Sequence, residues 1–278
     1  MKNVWVGIAV LLAAFSAFGG VQYDFMQRSQ SEIETIPSNE LTGRAIIDGD
    51  RSRVDFISSN NSYPVGAYVI STNGSRTLTY VDPLMKSYTE VNAAAVAAAI
   101  GTSNIKVANL KSDVVKLDDH PVIAGISTDH YHMTISYDMT VTIRSKALSQ
   151  SVRTEVDKWT TVALGDVSET FLSNSGVHTG NPEIDQLIAL ETTKIKGLPL
   201  KEVTKTTLRN LEGALPNSQL KLSEVRTMIR ELVITSIKQV KPDPSVFSVP
   251  LNYKKTSGEP TKAQQTQVTI LSFDPGSN

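Results

Sequence analysis

His130 and His132 are the residues of this chain whose type and spacing come nearest to a chemical site. Two residues apart on a strand they project to the same face, with Asp129 adjacent, and imidazoles so placed can ligate zinc. Zinc takes three or four ligands, however, and only His120 and His178 remain as further imidazole donors. The alternation around His130 and His132 instead assigns both to the solvated side of a strand. Asp118-Asp119-His120, just before Pro121, sets carboxylate beside imidazole and could act as an acid–base pair. A turn leading into the proline accounts for the same residues. Serine and threonine are abundant, but no nucleophile elbow, His-Glu-x-x-His helix, phosphate loop or Gly-x-Gly-x-x-Gly turn occurs. Tyr68, Tyr80, Tyr88, Tyr131, Tyr137, Trp159 and Phe247 could line a ligand cavity, although aromatic strand residues more often form ordinary core. The sequence therefore predicts no catalytic residue, metal ligand or cofactor, and it identifies no ligand-binding residue.

The composition narrows the function classes further. Lysine and arginine number 27 against 28 acidic residues in 278, a net charge of −1. Without a basic face to neutralise phosphates, a dedicated nucleic-acid binder is excluded. With no cysteine, disulfides, thiol catalysis, thiolate metal sites and a lipid-modified N-terminal cysteine are all excluded. At 40% hydrophobic residues the chain has ample material for a packed core.

Met1-Lys2-Asn3 precedes an apolar run from Val4 to Phe18, and Ala17 and Gly19 supply small residues for cleavage after Gly19. Residues 1–21 are thus expected to be a signal peptide or, extended through Val21 to roughly 18 residues, an N-terminal membrane anchor. Either reading puts the rest of the chain outside the cytoplasm. A polar lead-in is expected over 22–43, a single β-rich domain over 44–255, and a polar, unstructured tail over 256–278.

Within the domain, alternating residues predict strands. Asp48-Gly49-Asp50 and Asn73-Gly74 each lie between apolar runs and read as hairpin turns, and Asp82-Pro83 as a further turn. Tyr131, Met133, Ile135, Tyr137, Met139, Val141 and Ile143 keep a period of two, which buries one face and wets the other. Arg153 to Ala163 reads as a long strand, and Leu200 to Thr207 as another. Asn92 to Ile100, rich in alanine, predicts a short helix capped by Asn92. Asn181-Pro182 predicts the start of a second. Over Val225 to Val240 the first half fits either helix or strand, and β-branched residues favour strand in the second.

These elements together resemble an exported bacterial domain-of-unknown-function family. The matching segments are Arg51-Ser52-Arg53-Val54, Tyr80-Val81-Asp82-Pro83, Lys86-Ser87-Tyr88-Thr89-Glu90, Ala124-Gly125-Ile126 with His130-Tyr131, Lys196-Gly197-Leu198-Pro199-Leu200, and Asp243 through Pro250. The resemblance implies an α+β fold: a curved antiparallel sheet, a half-barrel like that of periplasmic lipoprotein-carrier proteins, with a few short helices packed on it. In such a fold the concave face can shelter an acyl chain. The family has no established activity, and none of the matching segments is catalytic. The chain departs from the family at 210–222, which reads as an insertion, and in lacking a lipidation cysteine.

The expectation is a noncatalytic exported envelope protein, periplasmic or anchored to the inner membrane, whose partner is a lipid or acyl chain. The alternatives are a membrane-tethered interaction module for a protein or glycan, and a hydrolase whose histidines, carboxylates and hydroxyls would cluster in a cleft.

Overall fold

The computed structural model describes residues 19–31, 38–58, 64–72, 77–92, 105–143, 146–164, 194–212 and 225–256, together with Pro182, Asp185, Gln186 and Ala189. In chain order the strands are β1 (Gly20–Ser31), β2 (Asn39–Asp48), β3 (Arg51–Phe56), β4 (Tyr68–Ser71), β5 (Thr77–Asp82), β6 (Ser87–Asn92) and β7 (Ile105–Lys116). They continue with β8 (Val122–Ile123), β9 (Ile126–Ser127), β10 (Asp129–Ile143), β11 (Lys146–Thr161), β12 (Leu198–Glu212), β13 (Val225–Val240) and β14 (Lys254–Lys255).

Twelve of these form one sheet in the order β14-β6-β5-β4-β3-β2-β1-β13-β12-β11-β10-β7. Every neighbouring pair is antiparallel except β14 with β6. The sheet is not closed into a barrel, since β14 and β7 stand at its opposite ends. Register shifts between β1 and β13, β10 and β7, and β11 and β12 mark bulges, which bend strands and raise their twist. The remaining pair, β8 and β9, is a separate small hairpin.

Alternation sorts the side chains onto two faces. The inner face carries one cluster built on Tyr23, Phe25, Ile47, Val54, Val69, Leu78, Leu200 and Ile234, drawn from β5 across to β12. A second cluster on Met133, Ile135, Tyr137, Met139, Val152, Val156 and Leu208 continues it toward β7. Each fully buried side chain of this size contributes about 1.5–3 kcal/mol, so these two clusters are the main source of cohesion. The outer face carries an apolar cluster at the far end. There Tyr68, Ile70 and Val81 are covered by Phe247 of a 3-10 turn at Pro244–Phe247, with Val249 and Tyr253 alongside.

Several sequence expectations are met. Asp48 pairs with Arg51, which leaves a two-residue turn in which Gly49 takes φ +63°. Only glycine accepts that geometry freely. Asp82 Oδ1 accepts from the backbone N–H groups of Leu84 and Met85 in the turn before β6. Residues 73 and 74 lie outside the described residues, although β4 and β5 pair as the hairpin requires.

Other expectations need correction. Residues 22–43 are not a lead-in: β1 and the start of β2 are central strands, their polar residues facing outward while Tyr23, Phe25 and Leu41 are buried. Residues 1–18, which carry the expected export segment, lie outside the described residues, and Gly20 and Val21 belong to β1. Among the described residues helix is confined to the 3-10 turn at Pro244–Phe247 and to part of the second expected helix. Asn92 ends β6 rather than capping a helix, and 93–100 lie outside the described residues. In the second expected helix, Pro182, Asp185, Gln186, Ala189 and Lys194 are helical. Val225–Val240 is strand throughout. Strand β7 escapes the period-two pattern because Asn109, at φ +54°, sits in a bulge that breaks the alternation. Residues 210–212 of the expected insertion belong to β12, and Thr256 of the expected tail donates its N–H to Tyr88 O; 213–224 and 257–278 lie outside the described residues.

One cross-strand pair shows how closely the inner face is built. Phe25 lies directly over Gly43, and a Cβ there would sit 2.5 Å from the ring and 2.8 Å from Asp55 O. Gly43→Ala is expected to lower stability by about 1–3 kcal/mol. Urea denaturation would show this as a lower midpoint with an unchanged slope.

Candidate functional site

Two polar groups interrupt this architecture, one on each face. On the inner face, alternation along β13 aligns Met228, Arg230, Leu232 and Ile234, so Arg230 interrupts the apolar surface between the two clusters. Directly opposite it on β12 is Thr204; Glu202, two residues along the same face and opposite Leu232, pairs with Lys158 on β11. Lys158 Nζ lies 2.8 Å from Glu202 Oε2, and Arg230 Nη2 donates to Oε1 at 2.7 Å. Thr204 Oγ1 donates to the same oxygen at 3.1 Å. Side-chain exposure is only 9% for Lys158 and 12% for Glu202, against 36% for Arg230. Burial works against ionisation of Glu202, but the Lys158 ammonium and Arg230 guanidinium outweigh it and hold the carboxyl well below the usual range, at about 2. Elsewhere on this face burial pushes the Tyr80 phenol up to about 12, and that of Tyr137 higher still.

The outer face holds the histidines. His130 is buried, which corrects the expectation that it lies on a solvated face. Its ring stacks on Trp159 with centroids 4.2 Å apart, and Lys201 Nζ lies 5.0 Å from the Trp159 ring on the other strand neighbour. His130 Nδ1 is 2.8 and 3.0 Å from the two oxygens of Asp119, and Nε2 is 3.3 Å from Asp157 Oδ1. The same Asp157 oxygen is 2.9 Å from His132 Nδ1. Asp119 therefore serves His130 and not its neighbour His120, which instead approaches Asp129 at 3.3 Å. His178 lies outside the described residues.

Thr134 Oγ1 is 3.5 Å from His132 Nε2, so hydroxyl, imidazole and carboxylate do follow one another. The order matches a nucleophile, base and orienting acid, but the setting does not. Strand β10 is paired on both sides, by β11 and β7, so its backbone N–H groups are committed to the ladders. No donor pair from this strand is left to receive an oxyanion. Among the described residues no group of three or more His, Asp or Glu side chains is arranged to hold a metal ion.

The aromatic residues do not share one cavity. Tyr68, Tyr88 and Phe247 pack on the outer face, Tyr80 with the first inner cluster, Tyr131 and Tyr137 with the second, and Trp159 against His130. A shallow groove of about 440 Å³ on the outer face is lined by Gln22, Arg44, Ile46, Arg53, Asp55, Ile57 and Val246. Its arginines are engaged: Arg53 with Asp55 and Arg44 with Asp24.

Sequence reasoning missed Lys158, Glu202, Arg230 and Asp157. A signal was present, because Val156-x-Lys158 and Leu200-x-Glu202 put charges in phase with apolar residues. For Arg230 that phase is legible only once 225–232 is read as a strand.

No family model matches the chain, and no curated protein matches it. Solved structures do. A LolA superfamily protein from Nitrosomonas europaea aligns over 83% of this chain and 90% of its own, at 10% identity and a TM-score of 0.32. An uncharacterized conserved protein from Thermus thermophilus aligns over 84% and 90%, at 10% identity and a TM-score of 0.31. No residue role is carried over at this identity.

The inner ion cluster sets a testable acid limit. Because the Glu202 carboxyl is held low, its contribution to stability is complete above the ordinary glutamate value of 4.5 and is lost as pH falls from there toward about 2. Glu202→Gln leaves the buried Lys158 ammonium and the partly exposed Arg230 guanidinium without their counter-ion and is expected to cost about 3 kcal/mol at neutral pH. The variant's denaturation midpoint should then change less between those two pH values than that of the parent chain.

Proposed function

We propose that the protein is a noncatalytic envelope protein that binds a lipid or another hydrophobic ligand against the inner face of its sheet. The observation that carries this reading is the continuity of that face. One apolar cluster crosses β5, β4, β3, β2, β1, β13 and β12 of a sheet that is open at both ends. No second sheet packs on it among the described residues. The pieces that do are the β8–β9 hairpin, through Ile123, Ala124 and Ile126, and Leu164. An apolar sheet face closed by small separate pieces can exchange those contacts for an acyl chain, because both sides of the exchange are nonpolar. Export by the segment ahead of β1, cleaved or retained as an anchor, belongs to this reading and would put the protein in the periplasm or on the inner membrane facing it. There free lipid needs a carrier to cross water.

The outer face supports the noncatalytic part of the reading. Its histidines pair with carboxylates across strands, and the backbone of β10, which carries Thr134, is engaged in ladders on both sides.

The test is native mass spectrometry of the protein isolated from an envelope fraction, followed by displacement of a fluorescent fatty acid. A co-purifying lipid and saturable displacement are expected. Leu232→Lys, on the edge of the first cluster, should weaken that binding about tenfold or more, the equivalent of losing one buried leucine. A protein that carries no lipid and takes up no fatty acid, but retains one stoichiometric protein partner, would replace this reading with a tethered interaction module.

A further inference from the structure

We propose that the tip formed by the β5–β6 turn and the turn before β14 docks on an anionic lipid bilayer. Leu84, Met85 and Leu251 enter between the headgroups, and Lys86 and Lys254 meet the phosphates. This surface lies apart from the inner face, and the proposal stands whether or not that face binds a lipid.

The three apolar side chains are the most exposed large hydrophobic residues among the described residues: Leu84 is 79% exposed, Met85 73%, and Leu251 fully. They sit on two turns at one end of the sheet. Leu84 and Met85 lie between Asp82, the end of β5, and Ser87, the start of β6. Leu251 lies in the turn closed by the Tyr253 N–H on Pro250 O. Lys254 follows that second turn and donates its N–H to the carbonyl of Lys86, the last residue of the first. From there β14 runs parallel to β6, so the two turns are held side by side. Exposed Val65 stands at the same end, because Tyr68 opens β4 opposite Val81.

The tip holds its apolar side chains in water by its own backbone bonds. Asp82 Oδ1 accepts from the N–H groups of both Leu84 and Met85. Pro83 and Pro250 fix the backbone at the start of each turn. Lys86 closes the first turn at φ +48°, a left-handed conformation that a lysine keeps only where the surrounding structure enforces it. An apolar cluster begins close by with Val81, Tyr88 and Tyr253, yet Leu84, Met85 and Leu251 do not join it.

Charge identifies what covers them. Lys86, Lys254 and Lys255 surround the tip. Lys255 is paired with Glu90 at 2.5 Å, and Asp82 is committed to the turn. Lys86 and Lys254 are exposed and make no ion pair among the described residues. Protein interfaces are depleted in lysine, and leucine is uncommon among their hot spots. A bilayer suits both halves of the tip. Its acyl boundary receives apolar side chains without requiring a complementary shape, and the lysine stems can follow them while the ammonium groups stay at anionic headgroups.

The chain has no cysteine, so Leu251→Cys in the full chain carries a single polarity-sensitive fluorophore. Full exposure of Leu251 means that the change removes no packing, and Met85→Cys serves as a second label site if that variant folds poorly. The labelled protein is titrated with vesicles of phosphatidylethanolamine and phosphatidylglycerol, and with vesicles of phosphatidylcholine alone. A blue shift, quenched by lipids brominated on their acyl chains, is expected with the anionic vesicles. Adding Lys86→Gln and Lys254→Gln should weaken that response about 25-fold, or about fivefold per lysine. An equal response to both kinds of vesicle, or one that the lysine substitutions leave unchanged, overturns the proposal. The same label at Asp50→Cys reports on the opposite end of the sheet, where β1 begins beside Asp48. If that label enters the bilayer while the one at Leu251 stays in water, the contact belongs to the segment ahead of β1 and the proposal fails. It also fails if the Leu251 label shifts with protein concentration in the absence of vesicles, since the tip is then a contact between copies of this chain.

Discussion

A β-strand buries every second side chain, and here that alternation is sustained over strands of 15 and 16 residues in a sheet with two open ends. Such a sheet presents one long apolar face that its own strands cannot cover. Most other features of the chain answer that constraint. The β8–β9 hairpin and Leu164 lie on the first inner cluster, and Ile195 joins the second. The C-terminal segment covers the smaller outer patch and ends by adding β14 to the edge at β6. Gly43 lets the Phe25 ring lie against the backbone of β2, where any side chain would lift it away.

The same constraint explains why the charged groups matter where they stand. Lys158, Glu202 and Arg230 occupy inward positions, so their charges must satisfy one another across three strands. A buried ion cluster of this kind adds little net stability over an apolar replacement, but it penalises any slip in register strongly. A one-residue shift of β12 would turn Glu202 outward and leave Lys158 facing Val203. The long strands, which could slide on alternating threonines and valines, are thereby held in one alignment.

Across the sheet, the histidine cluster is organised by the outer face and by a connecting segment, not by a cleft. Trp159 and His130 lie opposite each other in the β10–β11 ladder, which is what brings their rings into a stack. Asp119 comes from the connection between β7 and β8. The cluster therefore joins a strand of the sheet to the segment that carries the covering hairpin.

By itself the sequence determined the strands with strict period two, the glycine turn between β2 and β3, and the inward set Met133, Ile135, Tyr137 and Met139, because alternation and turn chemistry are local properties. It left β1 unrecognised because polar outward residues masked Tyr23 and Phe25. It left β7 unrecognised because the bulge at Asn109 shifts the phase. Only the tertiary structure decided which residues meet. Asp119 sits next to His120 in the chain yet binds His130, and Glu202 is 44 positions from Lys158 yet pairs with it. Pairing across strands depends on strand order and register, which are set by the packing of the whole sheet. The neighbours of a residue along the chain do not contain that information.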